Sequence, residues 1–405
     1  MSKSQSLHKA GVSYLLNELR ENEGLKPAAE GLKPLARQWL AQQDYLVPKT
    51  DWEALCDSLV QSVVGFGPLE VWLKDPTISE IMVNGASQVF IEKNGCLQQT
   101  PNGFESDDQL VQIINRMVAQ VGRRIDESQP LVDARLPDGS RVNAIIPPLS
   151  LNGPVLTIRK FPLEAFTLQH MRQYDSVNEE MAELLQILVE QQQNILISGG
   201  TGAGKTSTLN ACASLIPASE RVITIEDSAE IKIDHPHLVS LESRAANLEG
   251  EGSINIRDLL KNALRMRPDR IVVGEIRGGE AIDMLQAMNT GHQGSITTVH
   301  ANSPLESLYR LETMVLMGDV ELPLTAIRPQ IKQGINWVLQ QNRLKDGSRK
   351  IVEIAAVHSN VTASDYNVQT LASYDPVSQK FTSHGWLPDL VHNWGSKKLQ
   401  QWCKQ

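Results

Sequence analysis

Two hydrophobic periods alternate along the chain, and the places where one replaces the other outline its parts. Leu110, Ile113, Ile114, Met117 and Val118 recur at helical spacing, which predicts an amphipathic helix over 107–121. Around it, short apolar or alternating runs at 78–83, 89–92, 131–136, 141–146 and 155–160 read as strands. Turn formers separate them, among them Asn84-Gly85, Asn94-Gly95 and Pro137-Asp138-Gly139-Ser140. A helical pattern over 52–73 precedes these strands, so 51–160 is predicted to be a small α+β domain. Upstream, 1–50 is mixed and polar, with a helical pattern at Val12, Leu15, Leu16 and Leu19. It reads as a helical N-terminal extension.

The stretch 161–170, which contains Pro162, follows neither period and is the predicted linker. Beyond it the pattern changes character. A helix over 178–190 leads to an apolar β run at 194–198, and further β runs follow at 221–226, 270–276 and 295–299. Helical stretches at 256–266 and 280–289 alternate with them. Strands alternating with helices predict a parallel, doubly wound α/β sheet within 171–405. From about residue 314 a helix is expected, then strands at 337–340 and 349–357 around Lys345-Asp346-Gly347, and a less patterned C-terminal tail.

Composition narrows this picture. The 405 residues are 41% hydrophobic and 21% charged, enough apolar material for two or three packed domains. The net charge of −9 argues against a surface given over to nucleic acid. Cys56, Cys96, Cys212 and Cys403 are widely spaced with no CxxC pair, as expected of ordinary reduced thiols. No run approaches the ~20 apolar residues of a membrane span, so membrane contact is expected only through partners.

The candidate chemistry begins where the 194–198 run ends. Gly199-Gly200-Thr201-Gly202-Ala203-Gly204-Lys205-Thr206-Ser207 satisfies GxxxxGK[ST] in full, between a strand and a helix. In that pattern backbone N–H groups curl around the phosphates of a nucleotide, and the following helix points its positive end at them. Lys205 would reach the β- and γ-phosphates and Thr206 would supply a hydroxyl ligand to Mg²⁺, so ATP and Mg²⁺ are the expected ligands. Hydrolysis also needs a carboxylate to orient the attacking water. Glu226-Asp227 and Glu275 stand at strand ends, where a doubly wound sheet gathers its ligands. Glu275 is the candidate for the water, with Glu226 and Asp227 around the metal; Gly274 stands where many P-loop enzymes carry an Asp. His292 and His300 flank the 295–299 run, and His300 is placed to sense the γ-phosphate. Arg135, Arg141 and Arg159 lie in the first domain, Arg135 and Arg141 on the two arms of a predicted hairpin. They are candidates for a cationic clamp on the transition state.

Taken together, these motifs resemble the secretion ATPase superfamily of type II and type IV secretion and type IV pili. The phosphate loop, an acidic box at Thr224-Ile225-Glu226-Asp227, an atypical Walker B at Val272-Val273-Gly274-Glu275-Ile276-Arg277, and a histidine box from Gly291-His292 to His300-Ala301-Asn302 carry the likeness. Gly122-Arg123-Arg124-Ile125-Asp126-Glu127, the run from Asp133 to Asn143, and Thr157-Ile158-Arg159-Lys160-Phe161 resemble most the CpaF-type ATPases of tight-adherence (Flp) pili. Two family features are missing: a tetracysteine zinc module, and the motif of dedicated retraction ATPases, where Arg328 is followed by Pro329. The resemblance implies a RecA-like P-loop core behind a smaller α+β N-terminal domain, and a homohexamer in which nucleotide lies between the two. It also implies that N-domain arginines and Arg277 serve the nucleotide. The work implied is movement of an inner-membrane platform protein from the cytoplasmic face during pilus assembly. An ATPase of type IV secretion or conjugation shares this core and is the alternative; a nucleic-acid translocase is a more distant one.

Overall fold

In a computed structural model the chain folds into two compact units, Met1–Phe161 and Pro162–Gln405. The structure describes residues 3–21, 29–43, 51–93, 95–101, 103–161, 165–244, 251–318, 321–359 and 365–404. Asn94 of one expected turn and Pro162 of the expected linker lie outside them.

In the first unit, helices α1 (Lys3–Glu21), α2 (Ala29–Ala41) and α3 (Trp52–Val64) share one apolar cluster built on Leu15, Leu32, Trp39, Cys56, Leu59 and Val63. The 52–73 pattern is therefore two helices. Gly65 to Pro68 interrupts it, and α4 (Leu69–Lys74) resumes it with Leu69 and Trp72 turned into a second core. That core lies under a six-stranded antiparallel sheet of β1 (Ile78–Asn84), β2 (Val89–Lys93), β3 (Cys96–Gln99), β4 (Leu131–Arg135), β5 (Arg141–Ile145) and β6 (Val155–Arg159). The strand order is β3-β2-β1-β6-β5-β4. Helix α5 (Asp107–Ala119) covers one face with Leu110, Ile113, Ile114, Met117 and Val118, the five residues whose spacing announces it. Its N-terminus is capped by Ser106, which accepts from the Gln109 N–H.

The second unit begins with α6 (Leu168–Gln173), which starts within the stretch 161–170 expected to be linker, and α7 (Glu179–Glu190). Then come β7 (Ile195–Gly199), α8 (Lys205–Ala213), β8 (Val222–Glu226), β9 (Leu238–Glu242), α9 (Ile256–Ala263), β10 (Arg270–Val273), α10 (Glu280–Asn289) and β11 (Ile296–Val299). The chain closes with α11 (Pro304–Leu316), α12 (Leu324–Gly334), β12 (Trp337–Arg343), β13 (Arg349–His358), β14 (Asn367–Asp375), β15 (Lys380–Ser383), α13 (Asp389–Trp394) and α14 (Lys397–Cys403). One nine-stranded sheet results, in the order β15-β14-β13-β12-β7-β11-β10-β8-β9. From β12 to β9 every pairing is parallel, and β12 to β15 are antiparallel. Among the described residues no helix is long and apolar enough to cross a membrane.

Strand alternation sorts the second unit's core into two layers. Ile195, Ile197, Val222, Val272, Ile296 and Leu339 face α6, α7, α8, α13 and α14. Leu196, Ile223, Ile225, Ile271, Val273, Val299 and Val338 face α9 to α12. A parallel sheet buried on both faces needs such continuous apolar runs, each large side chain contributing about 1.5–3 kcal/mol on burial. The same alternation puts Glu226, Gly274 and His300 on the α8 side, at the carboxyl ends of three neighbouring strands. Ligands of doubly wound sheets gather there.

Candidate active site

The glycine-rich run 199–207 is the turn from β7 into α8, and the chain around it explains its glycines. Gly204 caps α8 at φ +96°, a left-handed conformation that a side chain would strain. Gly199 pairs in register with Gln341 of β12, whose carbonyl oxygen lies 2.3 Å from where a β-carbon on Gly199 would sit. Thr201 and Gly202 are exposed, Ala203 is buried, and Thr206 and Ser207 stand half-buried in the first turn of α8. A side chain on Gly200 would meet nothing within 4 Å, so the space above the loop is open. Open space beside Gly200, loop amides, a helix N-terminus, an ammonium and a hydroxyl make a donor set that fits a magnesium nucleotide.

Lys205 is only 8% exposed. Its Nζ donates to the carbonyl oxygens of Gly199 at 3.1 Å and Gly200 at 3.0 Å, and lies 3.3 Å from Nδ1 of His300. Nε2 of His300 in turn lies 2.8 Å from Oε1 of Glu275. The other carboxylate oxygen of Glu275 accepts from Nε and Nη2 of Arg277 at 2.9 and 2.6 Å. Lys205, His300, Glu275 and Arg277 thus form one continuous polar chain across the ends of α8, β11 and β10. Burial, and after it the Lys205 charge, holds the His300 pKa below its ordinary value, so the ring is neutral at neutral pH. Lys205 Nζ stands almost equidistant from the two ring nitrogens, 3.4 Å from Nε2 as well. The bond to Glu275 raises the Arg277 pKa further.

Glu226 lies on the same side of the sheet at the end of β8, 4% exposed. Its Oε1 accepts the N–H groups of Glu230 at 2.8 Å and Ile231 at 2.9 Å, so the carboxylate closes the turn that follows its own strand. Desolvation outweighs those bonds and pushes its pKa up to about 7. A β-carbon on Gly274 would stand 3.0 Å from Cγ of Glu226. The glycine after β10 therefore leaves room for the Glu226 side chain. Asp227 is exposed, and its carboxylate takes the Ser243 hydroxyl at 3.2 Å. His292 stands outside the polar chain, its carbonyl accepting from Ser295.

In the first unit, Arg135, Arg141 and Arg159 fall into register. Arg141 of β5 is directly opposite Arg135 of β4 on one side and Arg159 of β6 on the other. Opposed residues share a face, so three guanidinium groups form one row, ended by Glu80 of β1, which meets Arg159 at 3.4 Å. Arg135 also lies over the Phe161 ring, 5.9 Å from its centre. Like charges directly opposite one another in a sheet are unfavourable, and an anion shared among them reverses the sign.

Two residues around the loop escape the motif reading. Gln341, 2% exposed, accepts the Thr208 hydroxyl of α8 at 2.6 Å. Arg349 donates from Nε to the Gly202 carbonyl at 3.0 Å. Both belong to the β12–β13 hairpin, more than 130 residues downstream, whose strands and turn the sequence shows but whose contact with the loop it does not.

A family model described as Type II/IV secretion system protein matches residues 63–374. A Mycobacterium tuberculosis protein named for conjugal transfer is 34% identical over 305 residues, which make up 74% of this chain and 86% of that one. The type IV secretion system protein VirB11 of Bartonella henselae is 32% identical over 323 residues, covering 71% of this chain and 90% of its own. Among solved structures, the ATPase DotB of Yersinia pseudotuberculosis has a TM-score of 0.53 at 18% identity. The match spans 70% of this chain and 76% of that one, a likeness of fold.

Proposed function

This chain belongs to the Type II/IV secretion system protein family, and from that premise we propose that it is an ATP-hydrolysing motor that assembles a tight-adherence type pilus. The observation that carries the ATPase part is the polar chain from Lys205 through His300 to Glu275, closed around an open phosphate loop. In this reading ATP phosphates take Lys205 from the Gly199 and Gly200 carbonyls, and Glu275 orients the attacking water. His300 links the two, so arrival of the γ-phosphate at Lys205 is felt at Glu275. Thr206, with Glu226 and Asp227 around it, would hold Mg²⁺, whose part is to neutralise charge on the phosphates. Arg277 supplies a further cation beside Glu275, and Arg135, Arg141 and Arg159 are assigned to nucleotide phosphate as the family resemblance implies. The row in the first unit is suited to a phosphate chain, since guanidinium groups bind phosphate oxygens bidentately.

The pilus part rests on the sequence runs from Gly122 to Glu127 and from Asp133 to Asn143. It carries with it a homohexamer at the cytoplasmic face of an inner membrane, working on platform membrane proteins and not on nucleic acid. The names of the relatives favour a second reading, a motor of type IV secretion or conjugation. Deleting the gene and restoring it with wild type or Lys205→Ala separates them. Loss of surface pili that only wild type restores supports the first reading. Intact pili with lost DNA or protein transfer moves the assignment to the second.

A further inference from the structure

The β12–β13 hairpin ends at the phosphate loop, and its tip is built to stay there. Arg343 ends β12, Arg349 begins β13, and the two stand directly opposite each other. Between them the Leu344 N–H donates to the Ser348 carbonyl at 2.8 Å and the Gly347 N–H to the Leu344 carbonyl at 3.0 Å. The Asp346 carboxylate accepts from both the N–H and the hydroxyl of Ser348, at 2.9 and 2.7 Å. This firm turn presents two guanidinium groups to the loop. Besides its bond to the Gly202 carbonyl, Arg349 brings Cδ within 3.0 Å of the point that a β-carbon on Gly204 would take. Nη1 of Arg343 lies 3.9 Å from the matching point on Gly202. Two residues back along β12, Gln341 ties the hairpin to Thr208 of α8.

The Gly202 carbonyl and the Ala203 N–H belong to one peptide group. A guanidinium on the carbonyl polarises that peptide and strengthens its N–H as a donor. The Ala203 N–H now points to the Gly200 carbonyl at 3.4 Å, a long bond that a phosphate oxygen would outcompete. We propose that Arg349 is a positioning residue for the phosphate loop, and that the β12–β13 hairpin carries the loop's nucleotide occupancy to the antiparallel strands beyond it. The proposal rests on reading the loop as a nucleotide site. When phosphate takes the Ala203 amide, the Arg349 bond on the other side of the peptide tightens and the hairpin stiffens. The loop is thereby mechanically joined to β13, β14 and β15, which lie outside the parallel core.

The test is made on the full chain, by titrating wild type, Arg349→Ala and Arg349→Lys with ADP and Mg²⁺ and by hydrogen exchange of wild type with and without the same ligands. Loss of one charge-assisted bond predicts about a tenfold weaker ADP affinity for Arg349→Ala, partly recovered in Arg349→Lys. KM for ATP should rise more than kcat falls, and the Leu344 and Gly347 amides of wild type should exchange more slowly once ADP is bound. Wild-type binding together with unchanged Arg349→Ala affinity and unchanged exchange over 343–349 overturns the proposal and leaves the nucleotide reading intact. Failure of wild type to bind ADP overturns the reading beneath it. If Arg349→Ala does not fold, the exchange result on wild type decides alone.

Discussion

Replacing Glu226 by Gln should stabilise the nucleotide-free protein strongly at alkaline pH and far less at pH 5. Glu226 is 4% exposed, and burial raises its pKa from 4.5 to about 7 in the folded state. Between those values the folded chain keeps a proton that the unfolded chain has released. Stability from this group is therefore fully present below about pH 4.5 and is lost as the pH rises through about 7. A rise from 4.5 to about 7 corresponds to about 3 kcal/mol at roughly 1.4 kcal/mol per pH unit. Gln mimics the protonated acid: its carbonyl oxygen can still accept the Glu230 and Ile231 amides, and it bears no charge to desolvate. Urea unfolding at pH 5, 6, 7 and 8 without nucleotide or Mg²⁺, followed by amide exchange of β7 and β8, measures the second unit directly. The gap between Glu226→Gln and wild type should open with pH toward about 3 kcal/mol at pH 8. A gap that does not change with pH, or a variant less stable than wild type at pH 8, refutes the argument. The same raised pKa suits Glu226 to proton transfer near neutrality, since a base is most effective with a pKa near the working pH.

Two further outcomes follow from the site. Gly199→Ala drives a β-carbon to 2.3 Å from the Gln341 carbonyl; a loss of about 1–3 kcal/mol is expected in the same urea assay, and an unchanged midpoint would show that β12 yields there. His300 has a pKa held below 6.5, so ATPase activity should fall on the acid side of 6.5 as the ring protonates and repels Lys205. In His300→Gln, whose carbonyl can accept from Lys205, that acid limb should vanish from the pH–rate profile.

How much of this was legible in the sequence depends on how local each feature is. The strand, glycine turn and helix from β7 to α8 were, because they are contiguous and each residue answers to the turn it makes. The five-residue stripe of α5 and the apolar runs of β7, β8, β10 and β11 were legible for the same reason. The strands β3, β9, β14 and β15 were not. All four residues of β3 are exposed, and β14 carries its two buried residues, Leu371 and Ala372, side by side at a break in register with β13. Helix α6 was hidden because its capping box uses His170 in place of the usual Glu or Gln. The sequence proposed Arg135, Arg141 and Arg159 one by one, but only pairing register sets them in a single row. The turn after Glu226, which raises the acid's importance for folding, and the reach of Arg349 to Gly202 depend on contacts no local pattern encodes.

The central claim is that this chain hydrolyses ATP at the loop from Gly199 to Ser207, and phosphate release by the purified full chain with ATP and Mg²⁺ tests it most directly. Wild type should turn over, while Lys205→Ala and Glu275→Ala should each lose at least about 100-fold, the scale of removing one preorganised transition-state contact. Full activity in Lys205→Ala would contradict the account.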